Sequence, residues 1–229
     1  MTRLTVFGAG GRAGRAITAE ALRRGLHVTA VVRDPRKHAE VAHRDVTLAA
    51  GDVTDPASVE SAARGADAVV HAVSPFTGPE QGFADLDPRF FVRSSDALRV
   101  GMAAAGVERL LVIGLFANLR TADGVLVMDD PALFPPEIRP FARAHTDGLD
   151  RLRETAGPDW LVLTPPARLT PDAPRTGRYR LLDESLPLTD GELSYADLAI
   201  AVVDEAQAPT RHRTRVAVVG GEPARRAEG

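Results

Sequence analysis

A cluster of glycines near the start of the chain has the spacing that phosphate chemistry requires. Gly8, Gly10 and Ala13 satisfy G-x-G-x-x-G/A, and Gly8, Gly11 and Gly14 satisfy the wider G-x-x-G-x-x-G form. The cluster follows the apolar run Leu4–Phe7 and leads into a stretch where Ile17, Ala21 and Leu22 recur at helical spacing. Strand, tight turn and helix in that order aim backbone N–H groups at a helix N-terminus, and small residues let a pyrophosphate approach them. The pattern therefore points to a dinucleotide site. Arg33 follows the β-branched run His27–Val32, where such a site meets the adenosine ribose, with Arg12 in the turn and Arg36 nearby. An arginine there suits a 2′-phosphate, whereas Asp34 would suit ribose hydroxyls, so NADP is expected and NAD is the alternative.

Groups that could move protons are fewer: His145, Tyr195, Tyr179 and Ser74. Neither tyrosine has a lysine four residues on, and Lys37 is the only lysine in the chain. A ketone or alcohol reaction needs an acid beside the hydride acceptor, so simple carbonyl chemistry is disfavoured. A flavin, quinone or other conjugated acceptor delocalises the negative charge it gains and can take its proton from solvent, leaving the protein to align two rings. His145 reads equally as a hydrogen-bonded histidine on a helix surface, and Tyr195, at a helix start, reads more readily as packing than as a site residue. His27, His38 and His43 lack a set of partner ligands, so no metal is expected.

The composition narrows the partners. A net charge of −3 supplies no basic field for nucleic acid. Cysteine is absent, which removes thiol catalysis, disulfides and thiolate metal sites, and suits a reducing compartment. No apolar run approaches the ~18 residues of a membrane span. A cytoplasmic protein acting on a small molecule, as monomer or homodimer, is the expectation.

The elements that must hold these groups alternate. Val46–Ala50 reads as a third strand closed by Gly51-Asp52-Val53, with Asp52 and Val53 bordering the adenine. Asp55-Pro56 starts a helix with a cap and a proline at its first position. Ala66–Val73 is nearly all apolar, as a buried parallel strand should be, and breaks at Ser74-Pro75 beneath the nicotinamide ribose. Phe76 to Pro88 reads as a loop over the cofactor, 89–105 as a helix, 107–114 as a strand, 137–156 as a helix, 160–164 as a strand, 195–206 as a helix capped by Ser194, and 214–219 as a last strand. Strands separated by helices define an α/β, Rossmann-like, doubly wound parallel sheet in one domain over residues 1–220. Segments 115–136, with an extended piece at Val125–Met128, and 165–193 are irregular and are expected to build the substrate side. Residues 221–229 read as a flexible tail.

These stretches, together with Ala105–Val112, Asp159-Trp160 and Ser194–Asp197, resemble the atypical short-chain dehydrogenases/reductases. The likeness is to the NAD(P)H-binding group called NADH-flavin reductases, related to biliverdin reductase B and NmrA-like proteins, and it runs from Leu4 to Gly220. The resemblance implies that Gly8, Gly11, Arg12, Ala13 and Arg33 hold the phosphates, and that Ala72, Val73, Ser74 and Ile113 line the ribose and nicotinamide. It puts Phe141 and His145 in the slots of the missing Tyr-x-x-x-Lys pair. It also sets Leu115 and Phe116, where the group tends to be small and Gly-rich, at the pocket floor, with Pro75 and Tyr179 completing the substrate pocket. The same group contains cofactor-sensing regulators and enzymes that reduce or isomerise polycyclic metabolites, so both remain alternatives to a reductase.

Overall fold

The computed structural model describes residues 2–76, 86–184 and 191–221. Most of the segment expected to loop over the cofactor, part of 165–193, and residues 222–229 of the tail expected over 221–229 lie outside the described residues. The glycine turn joins strand β1 (Arg3–Phe7) to helix α1 (Arg12–Arg23). The chain then lays down β2 (His27–Val32), β3 (Val46–Ala50), α2 (Pro56–Ala63), β4 (Ala68–His71), α3 (Phe90–Ala105), β5 (Arg109–Ile113), α4 (Arg139–Glu154), β6 (Asp159–Thr164), β7 (Arg168–Thr170), β8 (Tyr179–Leu182), β9 (Glu192–Ser194), α5 (Tyr195–Gln207) and β10 (Thr214–Gly220).

The main sheet has the order β3-β2-β1-β4-β5-β6-β10-β8, parallel throughout except for β8, which pairs antiparallel with β10. The strand order reverses between β1 and β4, and the crevice at such a switch point is where open α/β sheets bind ligands. Alternation along each strand splits the core in two. Leu4, Val6, Val70, Leu161 and Val216 pack under α1 and α5, while Val69, Leu110, Val162 and Trp160 pack under α2, α3 and α4. The helix starts follow local chemistry: Asp55 accepts from the N–H groups of Ala57 and Ser58, Pro56 opens α2, and Ser194 accepts from Asp197 to cap α5.

One expectation fails. Val125–Met128 is not an extended piece: Leu126 makes a single bridge to Arg120, and Val127–Asp129 is a 3-10 turn. Val127 and Met128 bury themselves with Ala117, Phe134 and Ala142 in a third apolar cluster beside α4. The stretch after β6 holds three short strands, with β7 pairing β9 in a separate ribbon. Asp197, buried at the start of α5, accepts from the N–H groups of Thr176 (3.0 Å) and Gly177 (2.9 Å) and from Oγ1 of Thr176 (2.8 Å). Arg175 reaches Glu20 on α1 at 3.2 Å. The segment is thus strapped to the α1–α5 face, and Glu184, paired with Arg153 and Arg215, ties it to the other side.

The glycines of the turn are not equivalent. A Cβ on Gly14 would lie 2.1 Å from the Gly8 carbonyl oxygen, whereas one on Gly11 would meet only that oxygen, at 3.3 Å. Gly14→Ala is therefore expected to destabilise the protein by about 1–3 kcal/mol through overpacking. Gly11→Ala should cost less than about 1 kcal/mol as an N-cap change. Urea unfolding of the ligand-free protein measures both.

Candidate functional site

The glycine turn leaves the β1 ladder with Gly8 at φ 85°, its N–H donating to Val31 at 3.0 Å. A Cβ there would sit 2.6 Å from the Ala72 carbonyl oxygen, so the turn nests against the end of β4. Gly11 is the N-cap of α1; no side chain caps this terminus and no acid stands in its first turn. The N–H groups around Arg12 and Ala13 thus form an open anion site. Gly10 has another role. A Cβ on it would strike the ring of His38 at 2.3 Å, and Arg15 donates to its carbonyl at 2.8 Å while pairing with Glu40. His38 covering the turn was not foreseen from sequence.

Beyond the turn, Arg12 and Arg33 are exposed and make no hydrogen bond or ion pair among the described residues. Asp34 is committed instead: its carboxylate accepts from the N–H of Arg36 and pairs with its guanidinium at 3.0 Å, which holds the carboxyl below its usual range. Asp52 is exposed and turns its carboxylate back to Thr54, whose N–H and hydroxyl both donate at 2.8 Å. Val53 is buried beneath it, which leaves backbone rather than side chain at that point. At the end of β4 the N–H of Ala72 continues the ladder to Phe7, that of Val73 donates to Nδ1 of His71 at 3.4 Å, and Ser74 accepts from Phe76.

Past β4 and β5, between the sheet and helices α3 and α4, lies a cavity of about 30 Å³ bordered by His71, Phe91, Ile113, Leu115, His145 and Arg215. It can hold a water but not a ring system. Of the expected site residues, Ile113, Leu115 and His145 meet here, and Phe141 stands edge-on to His145 at 5.0 Å. Phe91 stacks on His145 at 3.7 Å, and Phe76 lies 5.8 Å from Phe141, so aromatic rings form the rim.

The other expected pocket residues do not converge on this cavity. Phe116 turns away to Phe134 in the third apolar cluster. Tyr179 packs on the α1–α5 face and donates to Asp204 at 2.7 Å, and burial with that carboxylate raises its pKa; it is a strap residue, not a proton donor in the pocket. Tyr195 is the first residue of α5 and does not border the cavity. Pro75 follows Ser74 at the end of β4 but does not border the cavity.

His71, missed from sequence, faces His145 across the cavity. It sat unnoticed inside an apolar run, yet a histidine closing a buried strand at its carboxyl end is the signal that could have found it. Burial lowers the His71 pKa to about 4, and burial with a further push from His71 lowers that of His145 to about 3. Both imidazoles are neutral near pH 7. They donate hydrogen bonds but carry no spare proton.

This fold and turn define a dinucleotide-binding protein of the Rossmann type. Residues 8–209 match the NAD(P)H-binding family, and the chain belongs to it. It is similar to the uncharacterized protein YwnB of Bacillus subtilis, with 33% identity over 95% of this chain and 98% of that protein. Among solved structures it resembles a candidate epimerase from Bacteroides thetaiotaomicron, with 30% identity, a TM-score of 0.82 and coverage of 97% and 98% of the two chains. A candidate NADH-flavin reductase from Streptococcus pneumoniae gives 27% identity, a TM-score of 0.76 and coverage of 96% and 100%. The resemblance to the atypical short-chain reductase group therefore holds. No helix among the described residues is long and apolar enough to cross a membrane.

The histidine environment gives a pH signature. With folded pKa values of about 4 and 3 against an ordinary 6.5, the unfolded chain binds more protons between these limits. This contribution is complete above about pH 6.5 and is lost as pH falls toward the folded values. Over pH 4–6, wild type should lose stability faster than His71→Gln by about 1.4 kcal/mol per pH unit, the slope of one proton. Denaturant titrations across that range measure it.

Proposed function

We propose that the protein is an NADPH-dependent reductase that passes hydride to a flavin, quinone or other planar conjugated molecule. The observation that carries this reading is the character of the substrate end: phenylalanine rings and two neutral imidazoles, with Tyr179 committed to Asp204 on the α1–α5 face. Such a wall aligns a flat ring and excludes water, but offers no acid strong enough to protonate a ketone oxygen. When bound, the nicotinamide supplies the hydride. Gly11 and the open start of α1 would hold the pyrophosphate, Arg12 and Arg33 the 2′-phosphate, and His145 would donate a hydrogen bond to the acceptor. The unpaired state of Arg33 beside an engaged Asp34 favours NADPH over NADH. A cysteine-free chain suits a reducing cytoplasm.

Arg33→Ala should weaken NADPH by roughly 10- to 100-fold, the range of a charge-assisted hydrogen bond, and leave NADH nearly unchanged. Equal losses for the two nucleotides would refute the 2′-phosphate assignment. Gly11→Val should abolish nucleotide binding in a folded protein, as read by fluorescence titration beside circular dichroism.

Turnover tests the chemistry. NADPH oxidation should follow addition of FMN or menadione, and unactivated ketones should be poor substrates. His145→Ala should slow the conjugated acceptor by roughly 10²-fold or less. Efficient ketone reduction that disappears in His145→Ala would overturn the preference for conjugated acceptors. Tight NADPH binding with no turnover on any acceptor would make the protein a cofactor-sensing regulator.

A further inference from the structure

The cavity between β4 and the helices brings together groups whose hydrogen-bonding capacity is unspent. Nδ1 of His71 accepts from the N–H of Val73, so Nε2 carries the ring hydrogen, and that nitrogen has no partner among the described residues. His145 makes no hydrogen bond through either ring nitrogen among the described residues; its ring is held by stacking on Phe91 at 3.7 Å. Ser95 and Asn118 also border the cavity. Ser95 gives its hydroxyl hydrogen to Gly148 at 3.0 Å, and Asn118 gives its amide hydrogens to Ala142 at 2.8 Å and Thr146 at 2.6 Å. Each keeps only acceptor capacity. One donor and several acceptors around about 30 Å³ are the partners that a single buried water needs. Leaving the His71 N–H dry would cost the desolvation of a polar group with no bond in return.

From this geometry we propose that His71 is a positioning residue that fixes His145 in one tautomer through a water held in the cavity. The water accepts from Nε2 of His71 and donates to the inward nitrogen of His145. That nitrogen then carries no hydrogen, so the outward nitrogen carries it and presents an N–H toward the bound acceptor. The remaining hydrogen of the water goes to Ser95 or Asn118. Among the described residues, Arg215 is the one other ionisable group bordering the cavity; its Nη2 is engaged with Glu184 at 3.0 Å, while its buried Nε has no partner. The proposal rests on the reductase reading for its purpose, but not for its geometry.

The test uses full-length protein labelled with ¹⁵N-histidine, with tautomers read by long-range ¹H–¹⁵N correlation at pH 7. Wild type should show His71 as the Nε2–H form and His145 as a single neutral tautomer. In His71→Phe, His145 should average between its two forms. His71→Gln, whose amide nitrogen takes the place of Nε2, should restore the single form. With NADPH and menadione, kcat should fall about tenfold in His71→Phe at unchanged KM for NADPH, and recover in His71→Gln. An unchanged His145 tautomer in folded His71→Phe would overturn the proposal, as would a mixed or charged His145 in wild type. The wild-type and His71→Gln spectra decide the matter even if His71→Phe does not fold. Absence of turnover in wild type would remove the reductase reading while the tautomer result stands by itself.

Discussion

The contact on which the carboxyl edge depends is the meeting of three pieces of backbone, Gly8, Gly14 and Ala72. The Gly14 Cα faces the Gly8 carbonyl with no room for a methyl group, and Gly8 in turn presses on the carbonyl of Ala72. α1 is thereby seated so close to β1 that its first N–H groups open at the switch between β1 and β4, while β4 is held where His71 closes it. The open start of α1 and the setting of the cavity depend on one close approach, which only glycine allows at positions 8 and 14.

Electrostatics elsewhere in the molecule explains why the free charges lie where they do. At the amino edge Arg109 is buried between Glu205 (2.9 Å) and Asp159 (2.8 Å), tying β5, β6 and α5 together. On the α1–α5 face Glu20 gathers Arg23, Arg24 and Arg175, and although burial opposes ionisation, those arginines carry its pKa down to about 2. Such pairs add modest net stability but fix which surfaces meet. In a chain that uses arginine for almost every cation, these arginines have carboxylate partners. Arg12 and Arg33, flanking the glycine turn, are left uncommitted beside an open helix N-terminus. That is the arrangement a multiply charged anion requires.

What was legible in the sequence was what repeats or what a local rule demands. The glycine spacing, the apolar parallel strands, the Asp55-Pro56 and Ser194 caps, and the parallel order all follow from period and capping chemistry, and the family resemblance agreed with them. The strands β7, β8 and β9 were not legible because three or four residues carry no period; their positions are set by partners such as β10 and Asp197. The tie of Tyr179 to Asp204 was hidden for the same reason, since nothing in its neighbours says that the chain crosses to the α1–α5 face there. His71 was hidden because one polar residue in an apolar run looks like tolerated burial until its neighbours across space are known. Gly10 fitted a phosphate template, and only the fold reveals that His38 fills the space above it.

The two histidines give the site a chemical bias that follows from burial rather than from residue type. An exposed imidazole titrates near neutrality and can act as acid or base, but desolvation beside Phe91 and the sheet holds both rings neutral well below pH 7. A neutral imidazole N–H stabilises developing negative charge without surrendering its proton, and its value grows where water is excluded. That suffices for an acceptor whose added electrons spread over a conjugated ring, because protonation can follow from solvent after the hydride has moved. It does not suffice for an isolated carbonyl, where charge concentrates on one oxygen and must be met by a proton during the transfer. Aromatic rings at Phe76, Phe91 and Phe141 act in the same direction, rewarding flat surfaces over small polar ones. On the reading proposed above, electronic demand and shape therefore point to the same class of acceptor.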